Sequence, residues 1–162
     1  MFSTQPSSTM ADALQHRVKQ NGFEDPVQEA FIGLLVAGGH IRQRLNEVCA
    51  GYGTTHDQYN VLRILRGVYP EGHPRHEIIE RLIERAPDVT RLLDRLERAD
   101  FIERYRSKEQ DRRLSFARIT QKGLDLLDEM EEPIRSVREH FLGHVPKKDL
   151  GELIRICSAL AA

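Results

Sequence analysis

The run PDVTRLLDRLERADFIERYRSKEQDRRLSFARI, residues 87–119, decides the fold. Pro87 has the fixed φ and missing N–H that suit a first helical position, and Val89, Leu92, Leu93 and Leu96 follow at i, i+3, i+4 and i+7. Those four form a buried side. Downstream, Phe101–Arg106 and Leu114–Ile119 are rich in β-branched and aromatic residues and flank Ser107–Arg113, a hairpin with a charged tip. Upstream, a shorter helix is expected to open at Pro74 with Ile78, Ile79, Leu82 and Ile83 as its apolar stripe. Glu84, Arg85 and Ala86 supply a tight turn between the two helices. Helix, turn, helix, strand, basic loop, strand is the order of a winged helix-turn-helix. The fold class expected is mainly α with a small β-hairpin wing, and the expected partner is duplex DNA.

The second helix turns Asp88, Thr90, Arg91, Asp94, Arg95 and Arg98 away from its apolar side. In helix-turn-helix docking the N-terminal residues of this helix reach deepest into the major groove. Arg91 can give two donors to guanine O6 and N7, Thr90 can meet a thymine methyl or a base edge, and Asp88 can accept from cytosine N4. Arg95 and Arg98 lie further along, where phosphates are in reach. The alternative for this face is an ordinary solvated surface with ion pairs such as Arg91–Asp94 or Asp94–Arg98. The hairpin argues for DNA: from Arg104 to Arg118 there are six Lys or Arg against two acidic residues, in a chain of net charge −1. A winged helix used only for protein contact has no need of those arginines.

These residues resemble the MarR (multiple antibiotic resistance regulator) family of bacterial transcription regulators. The resemblance is carried by Asp88–Glu97, by Phe101-Ile-Glu-Arg104, by Asp111-Arg-Arg113 and by Ile119-Thr-Gln-Lys-Gly123, with Gln58–Leu62 in agreement upstream. It implies that Arg113 of the wing enters a narrow minor groove while Asp111 orients the wing, with Lys108 and Arg112 beside them. It also implies an intertwined homodimer on a palindromic promoter operator, acting as a repressor answering a small aromatic or anionic effector. By position, His40, Arg44, Tyr52 and Tyr59 are the candidates for holding such an effector.

Around this core the chain reads as one domain, 23–162, after a mobile extension over residues 1–22. Residues 54–119 form the DNA-binding lobe, and 23–50 and 120–162 the dimerisation helices. Val27, Phe31, Leu34, Gly38, Ile41, Leu45 and Val48 alternate steps of four and three, drawing one seam along a helix of about 25 residues. Leu124, Leu127, Met130, Ile134, Val137 and Phe141, then Leu150, Leu153, Ile154, Cys157 and Leu160, offer it partners, within one chain as a bundle or across a dimer. Pro133, inside the first of these helices, predicts a kink or bend near Glu129–Glu132. Thr55 and Gln58 spell a capping box for a helix carrying Tyr59, Leu62 and Leu65, and Gly67–His73 reads as a loop.

No apolar run approaches the roughly 18 residues of a membrane span, and no signal-peptide order opens the chain, so a cytoplasmic protein without membrane contact is expected. Cys49 and Cys157, without a CxxC, read as inert thiols rather than a disulfide or metal site. The reactive Cys of the family's peroxide sensors lies early in the first helix, where Cys49 does not. His140 and His144 have a zinc-compatible i, i+4 spacing but sit at the wrong end of their helix to match the family's zinc sensors. No GxSxG, P-loop, GxGxxG or HExxH is present, and no catalytic residue, metal or cofactor is expected.

Overall fold

The computed structural model describes residues 14–15, 17–19, 22–83, 88–106 and 115–161. In chain order its elements are α1 (Pro26–Gly51), α2 (His56–Arg66), β1 (His73–Pro74), α3 (Arg75–Arg81), α4 (Val89–Arg98), β2 (Ile102–Arg106), β3 (Ser115–Ile119), α5 (Gln121–Leu142) and α6 (Lys147–Ala161). The chain divides between Arg42 and Gln43 into two compact units, so that α1 contributes to both.

In the first unit, Asp25 starts α1 by accepting from the N–H groups of Val27 (2.7 Å) and Gln28 (2.9 Å), and the Gln28 side chain accepts from the Glu24 N–H at 2.8 Å. Pro26 takes the first helical position, where its missing donor costs nothing. Of the expected seam, Val27, Phe31 and Leu34 remain exposed, as does Leu35 beside them. The extension expected over residues 1–22 falls mostly outside the described residues; within it Leu14, Gln15, Arg17 and Val18 are helical.

The second unit is built around Cys49, Val61, Leu62, Leu65, Ile78, Leu96, Ile102, Ile119, Leu127 and Met130, all essentially solvent-free. Helix α2 starts on the expected capping box: Thr55 Oγ1 accepts from the Gln58 N–H (3.2 Å) and the Gln58 side chain accepts from the Thr55 N–H (3.0 Å). Helix α5 starts on Thr120, whose Oγ1 accepts from the Gly123 N–H at 3.2 Å and donates to the Asp100 carbonyl at 2.6 Å. It buries Leu126, Leu127, Met130, Ile134 and Val137 and runs unbroken through Pro133, leaving Leu124 half-buried. Helix α6 buries no residue, and Ile154, Ile156 and Leu160 stand exposed.

Two expectations around Pro74 are corrected. Residues His73–Pro74 belong to a strand rather than a loop and a helix start: β1 pairs antiparallel with β3, His73 opposite Ala117 and Pro74 opposite Phe116. The sheet order is β1-β3-β2, so Pro74 sits at an edge, where a missing donor is tolerated. Gly72 makes the approach possible, since a Cβ there would stand 2.4 Å from the Ala117 carbonyl oxygen. Helix α3 consequently begins at Arg75, and it ends at Leu82, whose ψ of 134° is extended. Seven helical residues bury only Ile78; Leu82 is half-buried, Ile79 is turned outward and Ile83, past the helix end, is 72% exposed.

Helix α4 closes in a Schellman turn: the Phe101 N–H bonds to the Leu96 carbonyl (3.0 Å) and the Asp100 N–H to the Glu97 carbonyl (2.9 Å), with Asp100 at φ +60°. Three residues separate α4 from β2. In the wing, Ile102 faces Ile119 and Arg106 faces Ser115, a register that turns Ile102, Ala117 and Ile119 into the core.

Candidate nucleic-acid interface

The two faces of helix α4 differ sharply. Val89, Leu93 and Leu96 are buried, while Arg91, Arg95 and Arg98 are exposed on the opposite side, where together with Asp94 they line one shallow surface cleft. The helix begins at Val89, two residues later than Pro87 suggests. Asp88 is its N-cap, with Oδ1 accepting from the Arg91 N–H at 3.0 Å and Oδ2 paired with Arg91 Nε at 3.0 Å. Pro87 and the turn Glu84–Ala86 lie outside the described residues. Asp88 thus starts the helix and steadies Arg91, whose side chain is 80% exposed and open to an incoming ligand.

Neither of the within-helix ion pairs weighed above forms. Asp94 is taken instead by Arg104 of β2, Nη2 to Oδ1 at 2.6 Å, and Arg104 Nε stands 3.5 Å from Glu97 Oε2. That Nε is buried without a hydrogen-bond partner among the described residues, and the Arg104 side chain is 27% exposed. Arg104 therefore works inward, tying the first wing strand to the helix. Thr90 also has a partner: its Oγ1 accepts from Arg75 Nη1, at the start of α3, at 2.8 Å.

Across the wing, Arg118 pairs with its register partner Glu103 (Nη2 to Oε1, 2.6 Å) and lies 5.2 Å from the Tyr105 ring centre, while Tyr105 stacks on Phe116. Arg104 and Arg118 are thus spent within the fold, two of the six basic residues counted for the hairpin. Arg106 is exposed at the end of β2. Lys108, Asp111, Arg112 and Arg113 lie outside the described residues.

Within the second unit, the effector candidates Arg44, Tyr52 and Tyr59 are not gathered into one cleft. Arg44 pairs with Glu47, whose carboxyl is held below its ordinary range by hydrogen bonds from Gln43 and Arg44. Arg44 also borders a cleft of about 390 Å³ with Val48, Pro133, Ser136, Val137, His140 and Phe141. Tyr59, nearly buried, lines a different cleft with His56, Asn60, Arg63 and Ile83, and its hydroxyl accepts from Arg63 at 3.3 Å. The Tyr52 hydroxyl donates to the Glu129 carbonyl at 3.3 Å. His40 belongs to the first unit.

Cys49 is fully buried, and burial pushes its thiol up to about 11; Cys157 is exposed on α6. His140 and His144 are exposed, His140 edge-on to Phe141. Among the described residues no group of three or more His, Cys, Asp or Glu is placed to hold a metal ion, and no helix is long and apolar enough to cross a membrane.

A helix pair with a basic outer face, followed at once by a two-stranded wing locked to it, defines a winged helix-turn-helix protein of the kind that grips duplex DNA. The MarR family model matches residues 54–114. The crystal structure of a MarR transcription factor from Planctomyces limnophilus is 38% identical, with a TM-score of 0.66 over 85% of this chain and 99% of that one. The HTH-type transcriptional regulator MhqR of Bacillus subtilis (strain 168) is 30% identical over 101 residues, 62% of this chain and 67% of that protein. The transcriptional repressor CouR, solved on a 23-mer DNA duplex, is 26% identical, with a TM-score of 0.68 over 81% of this chain and 91% of that one. The chain belongs to the MarR family and is a DNA-binding transcriptional regulator. Family membership displaces the reading of the wing as a protein-contact module.

Proposed function

We propose that the protein acts in the cytoplasm as a homodimeric repressor, without catalytic activity, on a palindromic promoter site that it releases when a small aromatic or anionic effector binds. The observation that carries this reading is the exposed Arg91–Arg95–Arg98 face of α4, rigidly joined through Asp94 and Arg104 to the wing. In this reading residues 54–119 are the DNA-binding lobe. Arg91 reads base edges, Arg95 and Arg98 meet phosphates, Thr90 contacts a base, and Arg113 enters the minor groove beside Lys108, Asp111 and Arg112. Asp88 and Asp94 serve by holding Arg91 and Arg104. The apolar residues left exposed on α1 and α6, Val27, Phe31, Leu34, Ile154 and Leu160 among them, support residues 23–50 and 120–162 as the dimer contact.

The test is equilibrium binding to a duplex selected from a random pool by the wild-type protein, against a scrambled duplex, across a range of salt, with mass measured in the same buffer. Arg113→Ala is expected to weaken binding to sites with a narrow minor groove. Arg91→Ala should cost roughly 1 to 3 kcal/mol and relax preference at one base position per half-site. A wild-type protein indifferent to sequence, or monomeric when bound, would sink the reading.

A further inference from the structure

We infer that Arg75, in the first turn of α3, is both a DNA-backbone contact and the residue that sets which base edge Thr90 reads. The inference deepens the assignment of α4 as the major-groove helix and rests on it. Arg75 is exposed, and among the described residues its one recorded partner is neutral: Nη1 donates to Thr90 Oγ1 at 2.8 Å. Arg81, Arg91, Arg104 and Arg118 each face a carboxylate, whereas Arg75, like the exposed Arg95, Arg98 and Arg106, faces none among the described residues. Among the described residues, four of the five N–H donors of Arg75 therefore have no partner within the fold.

The place Arg75 occupies says what those donors can meet. Arg75 and Thr90 line a cleft of about 80 Å³ together with Leu93 of α4 and with Ser115, Phe116 and Ala117 of β3. Arg104 reaches the same cleft, but its charge is already answered by Asp94 and Glu97. The cleft is thus shared by α4 and the wing strand β3, and its lining includes the exposed Arg75 and the exposed Ser115. A duplex engaged at once by helix in the major groove and wing in the minor groove must carry its sugar-phosphate strand across that junction. A phosphate there can accept from Arg75 and from the Ser115 hydroxyl.

The same hydrogen bond constrains Thr90. A threonine hydroxyl has one proton and two lone pairs. While Oγ1 accepts from Arg75, one of its lone pairs is occupied, which leaves the proton and a single lone pair and tilts Thr90 toward donation in the groove. Donors are met in the major groove by guanine O6 and N7, adenine N7 and thymine O4, and refused by cytosine N4. Arg75 thereby biases the hydroxyl toward acceptor edges and against cytosine at its position.

The experiment compares wild type, Arg75→Met, Arg75→Lys and Thr90→Val as full chains. Each is measured by fluorescence anisotropy on the selected and scrambled duplexes over a salt series, and each is put through its own random-pool selection. Arg75→Met should weaken binding to both duplexes and flatten the slope of log K against log salt by about 0.9 for each protomer engaged. Arg75→Lys should restore the slope, and Thr90→Val should leave it unchanged while erasing the discrimination against cytosine. Arg75→Met retaining wild-type slope and affinity on both duplexes overturns the backbone contact, and its retaining discrimination against cytosine overturns the Thr90 assignment. A wild type that treats both duplexes alike instead removes the base-reading role of α4, while the slope on the scrambled duplex still decides the phosphate contact. Thermal unfolding of Arg75→Met at the wild-type temperature keeps either loss from being one of folding.

Discussion

Replacing Gly123 by alanine sets two opposed effects against each other, and the geometry decides which wins. Gly123 is the third residue of α5, and in a helix alanine is favoured over glycine by about 1 kcal/mol. Here, however, the new Cβ would stand 2.4 Å from the Phe101 carbonyl oxygen, 2.7 Å from Ile119 Cγ1 and 3.3 Å from Ile119 Cδ1. Neither neighbour can give way cheaply. The Phe101 carbonyl accepts the Thr120 N–H at 3.1 Å, and Ile119 is 1% exposed at the heart of the core. If α5 moves off instead, the bond from the Gly123 N–H to Thr120 Oγ1 stretches, and that cap is worth about 1 kcal/mol. Overpacking of this kind costs about 1 to 3 kcal/mol, and loss of one hydrogen bond about 1 more. After the helix gain is subtracted, a net loss of about 1 to 3 kcal/mol is expected. Urea unfolding followed by far-ultraviolet circular dichroism, at one protein concentration, should show a midpoint lowered by about 1 M with the slope unchanged. Gly51, where a Cβ meets nothing within 4 Å, supplies the comparison. A Gly123→Ala midpoint at or above wild type would refute the argument that this glycine is demanded by contact.

Arg104→Met should lower stability by about 1 to 2 kcal/mol, between the limits for surface and buried pairs, and weaken DNA binding without changing the salt slope. Unfolding and binding curves indistinguishable from wild type would show that the helix does not need that tie. Thr55→Ala should cost about 1 kcal/mol in urea unfolding and Thr55→Ser much less; equal losses would rule out the capping hydroxyl as the cause. Cys49 should resist iodoacetamide at pH 8 until denaturant is added, and peptide mapping that finds it alkylated in the native protein would contradict its burial. Because its folded thiol titrates at about 11 rather than 9.0, the folded state holds its proton longer than the unfolded chain does. Stability from this group is complete below about pH 9 and drains away as pH rises toward 11, which a pH series of unfolding midpoints would reveal.

The winged helix was legible where a signal is local. The spacing of Val89, Leu93 and Leu96, the Thr55–Gln58 box and the two runs that became β2 and β3 each declare themselves within one or two turns of chain. What depended on distant residues was misread or missed. Pro74 has the credentials of a helix opener, and only the approach of β3, some forty residues later, makes it an edge strand. The alternative reading of the α4 face offered Asp94 only helical partners, Arg91 and Arg98, because a sequence displays i, i+3 and i, i+4 pairs. Its actual partner, Arg104, lies around the Asp100 turn and is brought opposite by the register of the wing. The same holds for Glu103 with Arg118, which made the hairpin look more basic than it is. Arg75 gave no local signal: an arginine after a proline is unremarkable until α3 and α4 are packed and its guanidinium meets Thr90. The wing tip from Lys108 to Arg113 lies outside the described residues, so the roles given to it rest on resemblance.

The order β1-β3-β2 also governs how this protein is made. The middle strand is the last of the three to leave the ribosome, and both β1 and β2 bond to it rather than to each other. Until Ile119 emerges, a nascent chain holds two borders of a sheet with no centre. The helix pair then lacks the strand that closes over its base, and the unpaired N–H and C=O groups of β1 and β2 are open to chance pairing. A frameshift or stop anywhere between Arg106 and Ser115 is thus not a mild trimming of a loop. It removes the strand that both borders require, so a truncated product would compete for chaperones and proteases rather than for operators.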